Sequence, residues 1–169
     1  MLKQMKSLFK YIALAAVICS SCIKERETGA SLVVGDDIPD FSVTMNDGAQ
    51  ITGEYLREGV CCIVFFTTAC SDCRKTLPHI QRVYDEYLPL GVRFALISRE
   101  EKGEDIEKFW ADQGLTMPYS AQEDNVVYKM FAKTRVPRVY ICRDGVIKFI
   151  FTDSPNPTYE DMKAAIIGI

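Results

Sequence analysis

The run Val60-Cys61-Cys62-Ile63-Val64-Phe65-Phe66-Thr67 limits this chain more than any other feature of its sequence. It is apolar without alternation, and it is too short for a core helix or a membrane span. A strand with one solvated face would alternate, so this one is buried on both faces. A sheet covered on both sides needs helices to cover it, which points to an α/β chain. Composition agrees: 48% of the 169 residues are hydrophobic and 25% charged, enough for one well-buried core.

The flanking stretches fill in the order. Phe41 to Met45 and Gln50 to Thr52, joined through Asn46-Asp47-Gly48, predict a hairpin. Arg74 to Leu88 carries Leu77, Ile80, Val83, Tyr84 and Tyr87 at three- and four-residue spacings, an amphipathic helix with Pro78 near its start. Arg93 to Ser98 predicts a second buried strand, Glu104 to Gln113 a helix ending at Gly114, and Val126 to Ala132 a short helix. Arg138 to Cys142 and Val146 to Phe151 flank Arg143-Asp144-Gly145 as a closing hairpin, and Thr158, with Asp161 three residues on, caps a last helix to Ile167. The first part of the sheet is therefore parallel and the last part antiparallel.

The first 21 residues follow the order of an export signal. Lys3, Lys6 and Lys10 form a basic start and Tyr11 to Ile18 a short apolar stretch, below the about 20 residues that a membrane span needs. Ser20-Ser21-Cys22 resembles the end of a bacterial lipoprotein signal, which implies lipidation of Cys22 and a membrane anchor. Ordinary signal cleavage is the alternative, because Cys19 stands where the lipoprotein pattern prefers Leu. Residues 1–21 are thus expected as signal, 22–34 as tether and 35–169 as one domain. The signal takes three lysines and no acid, so the remainder is more acidic than the whole chain's net charge of −3. With no long basic run, a nucleic-acid partner is excluded.

The chemistry sits where the central strand meets the first long helix, at Cys70-Ser71-Asp72-Cys73. A thiol at a helix N-terminus faces unpaired N–H groups and the positive end of the dipole, which favour a thiolate. Cys70 is therefore the candidate nucleophile. Cys73, one turn on, can attack a mixed disulfide at Cys70 and release the partner. Asp72 disfavours the thiolate while Arg74 and Lys75 favour it, and the net sign stays open. Half of a zinc site is the competing reading, but Cys61 and Cys62 point to opposite faces of a strand and His79 is the lone histidine, so no metal is expected. No nucleotide or flavin motif appears, and no cofactor is expected. Val136-Pro137, entering the strand at Arg138, is a turn or a cis-proline facing the dithiol.

These residues together resemble the thioredoxin fold, in the TlpA/ResA-type branch of thiol-disulfide oxidoreductases, over Gly35 to Ile169. The resemblance rests on Gly35-Asp36-Asp37-Ile38-Pro39-Asp40-Phe41, the apolar strand before Cys70-Ser71-Asp72-Cys73, Pro78, and Val136-Pro137 before the closing hairpin. It implies a thioredoxin-like mixed sheet with flanking helices and an N-terminal β-hairpin, on an extracytoplasmic, membrane-anchored protein of the cell envelope. It implies disulfide exchange with client proteins, with a lean to reduction, and a redox partner that recharges the dithiol. Val136 and Pro137 inherit contact with the client's extended chain. Arg138 stands where the family usually has Thr, and steers partners or is simply solvated.

Other departures are Ala69 in place of Trp before the first cysteine, and Asp72 in place of Pro. Val64 and Thr76 occupy the two places where relatives carry a carboxylate beneath the second cysteine. Two further activities on this fold are open. A peroxiredoxin-like peroxidase would use Thr67 and Cys70, though Ile63 replaces that pattern's proline and its arginine would have to be Arg138 or another. A Sco-like copper chaperone would use two cysteines and a histidine, but its cysteines are spaced differently and His79 is expected to be solvated.

Cys61, Cys62 and Cys142 are left over. Pairing Thr68 with Pro137 would set Cys142 opposite Ile63, and a slip of one or two residues would bring it to Cys62 or Cys61. They are then either buried free thiols or a second thiol pair. Trp110 is expected to pack on the sheet, and Glu100-Glu101-Lys102 to be a solvated loop.

Overall fold

The computed structural model describes residues 31–169, so the signal, Cys19, Cys22 and most of the tether lie outside the described residues. The elements are β1 (Ser42–Thr44), β2 (Gln50–Thr52), α1 (Gly53–Leu56), β3 (Val60–Phe66), α2 (Ser71–Tyr87), β4 (Arg93–Ser98), α3 (Gly103–Gln113), α4 (Val126–Phe131), β5 (Arg138–Arg143), β6 (Val146–Phe151) and α5 (Tyr159–Ile167). Strands β4, β3, β5 and β6 form one sheet in that order, and β1 with β2 forms the separate hairpin. β3 runs parallel to β4 and antiparallel to β5. This is the mixed α/β architecture expected from the run at Val60.

The central strand has the predicted two-faced burial. Cys62, Val64 and Phe66 point into a core built with Cys73, Leu77 and Ile80 of α2 and Met162 of α5. Cys61, Ile63 and Phe65 point the other way, against the hairpin, Leu56 of α1, and Tyr128 and Phe131 of α4. On that second face Phe65 lies 5.5 Å from Tyr128, 4.9 Å from Phe131 and 6.2 Å from Tyr140, centroid to centroid, so the rings pack by edge and tilt.

Several boundaries differ from the sequence reading. α2 begins at Ser71 rather than Arg74, because Cys70 itself takes the N-cap position. Pro78 therefore lies inside a 17-residue helix, where it removes the N–H that would reach Arg74's carbonyl. Four residues after β2 close as α1, capped by the Thr52 side chain on the Tyr55 N–H at 3.1 Å. The domain's contacts begin before Gly35: Leu32 is buried and its N–H donates to the Phe131 carbonyl at 2.8 Å. α5 has the predicted cap, with Thr158 and Asp161 bonded reciprocally.

Candidate redox site

β3 ends at Phe66, and the next four residues carry the chain from the sheet to the first turn of α2. Thr68 in this connection is held from both sides. Its N–H donates to both oxygens of the Glu101 carboxylate at 2.9 and 3.2 Å, and its hydroxyl donates to the same group. Its carbonyl accepts from Arg74 Nε at 2.5 Å, while the Arg74 guanidinium lies 5.4 Å from the centre of the Phe109 ring. Opposite charges thus grip the two ends of one residue, fixing the peptide that leads into Cys70.

Cys70 is half-buried and is the N-cap of α2, where its Sγ accepts the Cys73 N–H at 3.4 Å. Its thiol also lies 3.4 Å from the Val136 carbonyl, to which it donates. A cleft of about 470 Å³ opens beside it, lined by Thr67, Ala69, Cys70, Arg99, Glu100 and Val136. Cys73 has no exposed surface. Burial pushes its thiol up, and the neighbouring Cys70 and Asp72 reinforce that shift. The pair is therefore asymmetric: one sulfur can be reached, and the other is sealed and favours its protonated form.

The flanking charges are resolved by their partners. Asp72 accepts from Asn156 Nδ2 at 3.0 Å and from Lys75 Nζ at 3.1 Å, and these bonds hold its carboxyl below the usual range. Lys75 is thus committed to Asp72, and Arg74 to the Thr68 carbonyl. Neither cation is aimed at sulfur, which the sequence alone left open.

The loop before β5 faces the dithiol through Val136, and the Val136–Pro137 bond is cis. Pro137 is buried and Val136 half-buried. Tyr128 and Arg138 brace this loop from the other side: the Tyr128 hydroxyl donates to the Arg135 carbonyl at 2.7 Å, and Arg138 Nε donates to the Thr134 carbonyl at 3.2 Å. Arg138 alternates with Val139, so it shares the face of Tyr140 and Phe65 rather than that of Cys73. Its guanidinium also approaches the Tyr140 hydroxyl at 3.5 Å, and the residue stays partly exposed. The structure brings Cys70, Cys73, Val136 and Pro137 together and turns Arg138 behind them.

Other expectations need correction. Glu101 is not part of a merely solvated loop, since it anchors Thr68; only its position at the foot of a charged helix start hinted at it. Asn156 was missed because it sits in a loop between two prolines with no periodic signal. His79 is half-buried rather than solvated. Thr76 is fully buried in α2, and its hydroxyl has no hydrogen-bond partner among the described residues. Trp110 packs as expected, 5.0 Å from Phe66, with its N–H on the Met117 carbonyl at 2.9 Å. Among the described residues no group of three or more His, Cys, Asp or Glu side chains is placed to hold a metal.

The AhpC/TSA family pattern matches residues 34–150, which takes in both strands of the central pair, α2 and the loop at Val136. The chain belongs to the AhpC/TSA family. Thiol-disulfide oxidoreductase ResA of Geobacillus thermodenitrificans (strain NG80-2) is 27% identical over 142 residues, spanning 82% of this chain and 79% of that relative. A solved structure from Bacteroides thetaiotaomicron, described as a disulfide isomerase, superposes with a TM-score of 0.74 at 23% identity, covering 85% of this chain and 91% of that one. The thioredoxin domain of a thiol-disulfide oxidoreductase from Bacteroides vulgatus gives 0.67 at 18% identity, over 80% of this chain and 99% of that domain. The fold is thioredoxin-like, and with curated relatives such as ResA matching over most of its length the chain is a thiol-disulfide oxidoreductase.

Proposed function

We propose that this protein reduces disulfides in client proteins outside the cytoplasm, through Cys70 as nucleophile and Cys73 as resolving thiol. One observation carries the reading: Cys70 Sγ is reachable at the helix N-terminus and accepts the Cys73 N–H, while Cys73 is sealed one turn behind it. In the first step the Cys70 thiolate attacks one sulfur of a client disulfide. A Cys70–client bond forms, the client S–S bond breaks, and the departing sulfur takes up a proton. Cys73 then gives up its proton and attacks Cys70 Sγ, releasing the second client thiol and leaving a Cys70–Cys73 disulfide. Two electrons and two protons have passed to the client, and a separate thiol donor must restore the pair.

The client's extended chain lies along Val136 and Pro137, beside the cleft at Cys70, and pairs its backbone there. Arg138 shapes that loop from behind. The basic and apolar order of residues 3 to 18 supports export, and Ser20-Ser21-Cys22 supports a lipid anchor on the periplasmic side of the cell envelope. A lipid chain contributes about 0.8 kcal/mol per buried CH₂, so two or more chains hold a protein stably at a membrane.

The equilibrium reduction potential of Cys70/Cys73, read by alkylation across dithiothreitol and glutathione buffers, tests the direction. The expected value lies near the reducing end of a scale that runs from about −270 mV to about −120 mV. A value near the oxidising end makes the protein a disulfide donor instead. A second reading, peroxide reduction at Cys70, is favoured by Thr67 and Arg99 lining the same cleft. Peroxide consumption coupled to Cys70 oxidation would support it, and exchange without such consumption is expected.

A further inference from the structure

We propose that Cys61 and Cys142 form a second thiol-disulfide couple, separate from the exchange pair, which staples β3 to β5 when oxidised. The two residues are direct partners in the antiparallel ladder, two positions from the register that the sequence suggested. Directly opposed residues in such a ladder have Cα atoms about 4.5 or 5.5 Å apart, according to whether they exchange hydrogen bonds. Both spacings fall in the range of about 4.4–6.8 Å that a disulfide spans. Both side chains belong to the same face of the sheet, and the neighbouring Cys61 together with burial pushes the Cys142 thiol up. The structure holds both as free thiols.

No other cysteine of the domain competes. Cys62 points to the opposite face, is paired with Ile141, and shares its core with Cys73. Cys70 and Cys73 lie beyond the far end of β3, and residues 61 to 66 alone span about 16 Å of strand. The pair therefore cannot exchange directly with the catalytic dithiol and needs its own oxidant. That oxidant is a low-molecular-weight or protein disulfide. Two S–H bonds break, an Sγ–Sγ bond forms, two protons leave, and the disulfide R–S–S–R accepts two electrons to become two thiols. Because both sulfurs are fully buried, the reaction belongs to folding or to opening of the sheet. The β5–β6 ladder shifts register between Ile141 and Cys142, so the irregular part of that ladder adjoins one of the two sulfurs. Once made, the bond encloses α2, β4, α3 and α4 in a covalent loop.

The test uses the full chain carrying Cys70→Ser and Cys73→Ser, which removes exchange activity from the readout. The protein is unfolded under reduction, refolded in a glutathione/glutathione-disulfide buffer, alkylated under denaturant and digested. Tandem mass spectrometry should find Cys61 linked to Cys142 with Cys62 alkylated. The oxidised protein should also unfold at a higher temperature than the same protein after reduction. Alkylation of both Cys61 and Cys142 after refolding would overturn the proposal, as would a link from either one to Cys62, Cys19 or Cys22. Adding Cys142→Ala should abolish the link and leave Cys61 alkylated. If that variant does not fold, the refolded parent still decides.

Discussion

The two ends of β3 carry the same functional group in opposite settings. At its exit, Cys70 is half-exposed on a helix cap, beside a cleft that Arg99 and Glu100 also line, with Cys73 sealed behind it. At its start, Cys61, Cys62 and Cys142 have no exposed surface, and their one charged cross-strand partner, Arg93 opposite Cys61, is turned to the Tyr55 carbonyl and the Glu58 carboxylate. The thiols are chemically alike, so the difference in reactivity comes from access and from which N–H groups and charges face the sulfur. On the proposed reading the exit serves exchange, and the start serves packing and a single bond made on folding.

Replacing Cys70 with Ser should break this contrast outright. Exchange with a disulfide-bearing client should fall by on the order of 10³-fold or more, while far-UV circular dichroism stays unchanged. Persisting activity would mean that one of the buried thiols reacts instead.

Alkaline unfolding sharpens the same comparison. Burial pushes the thiols of Cys62 and Cys73 up, and the neighbouring Cys61 with burial does so for Cys142. These groups keep their protons in the folded state after the unfolded chain has begun to lose them at about pH 8.5. Their stabilisation is complete below that pH and is lost as pH rises above it, at up to about 1.4 kcal/mol per pH unit for each thiol. Tyr140, pushed up to about 12 by burial, joins above pH 10. Denaturation midpoints from pH 7 to 10 should fall in this way, and a flat profile would show that the thiols are not sealed. Oxidation of Cys61 and Cys142 should flatten the slope.

Glu101→Ala should cost about 1–3 kcal/mol, because it leaves the Thr68 N–H and hydroxyl without their acceptor. Urea denaturation measures that loss, and exchange should slow as the connection into Cys70 loosens. Glu101→Gln should recover part of both. The smallest effect is expected at Thr76→Val, which removes a buried hydroxyl that has no partner among the described residues. Stability should stay level or rise by up to about 1 kcal/mol. A loss of stability there would show that the hydroxyl is bonded.

Most of the fold was legible because it follows periodicity. The unbroken apolar run at Val60, the three- and four-residue spacing in α2 and the Thr158 cap are local patterns with one structural solution each. The spacing of Cys70 and Cys73 reads as one helical turn, but it falls just ahead of the helix start expected at Arg74, and the structure carries the helix back to Ser71. What was not legible depends on contacts between distant segments. Glu101 reaching Thr68 and Asn156 reaching Asp72 leave no periodic trace, and Arg138 turning back to Thr134 depends on the bend of the Val136–Pro137 loop. The cross-strand partner of Cys142 depends on register, where a shift of two residues changes Ile63 into Cys61.

The proposed division of labour between Cys70 and Cys73 is tested most directly by comparing Cys70→Ser with Cys73→Ser, each exposed to glutathione disulfide and read by intact-mass and peptide mass spectrometry. The Cys73→Ser chain should accumulate a glutathione mixed disulfide on Cys70, with no thiol behind it to release the adduct, and the Cys70→Ser chain should stay unmodified at Cys73. A mixed disulfide forming at Cys73 as fast as at Cys70 would contradict the assignment of Cys70 as the attacking sulfur and Cys73 as the resolving one.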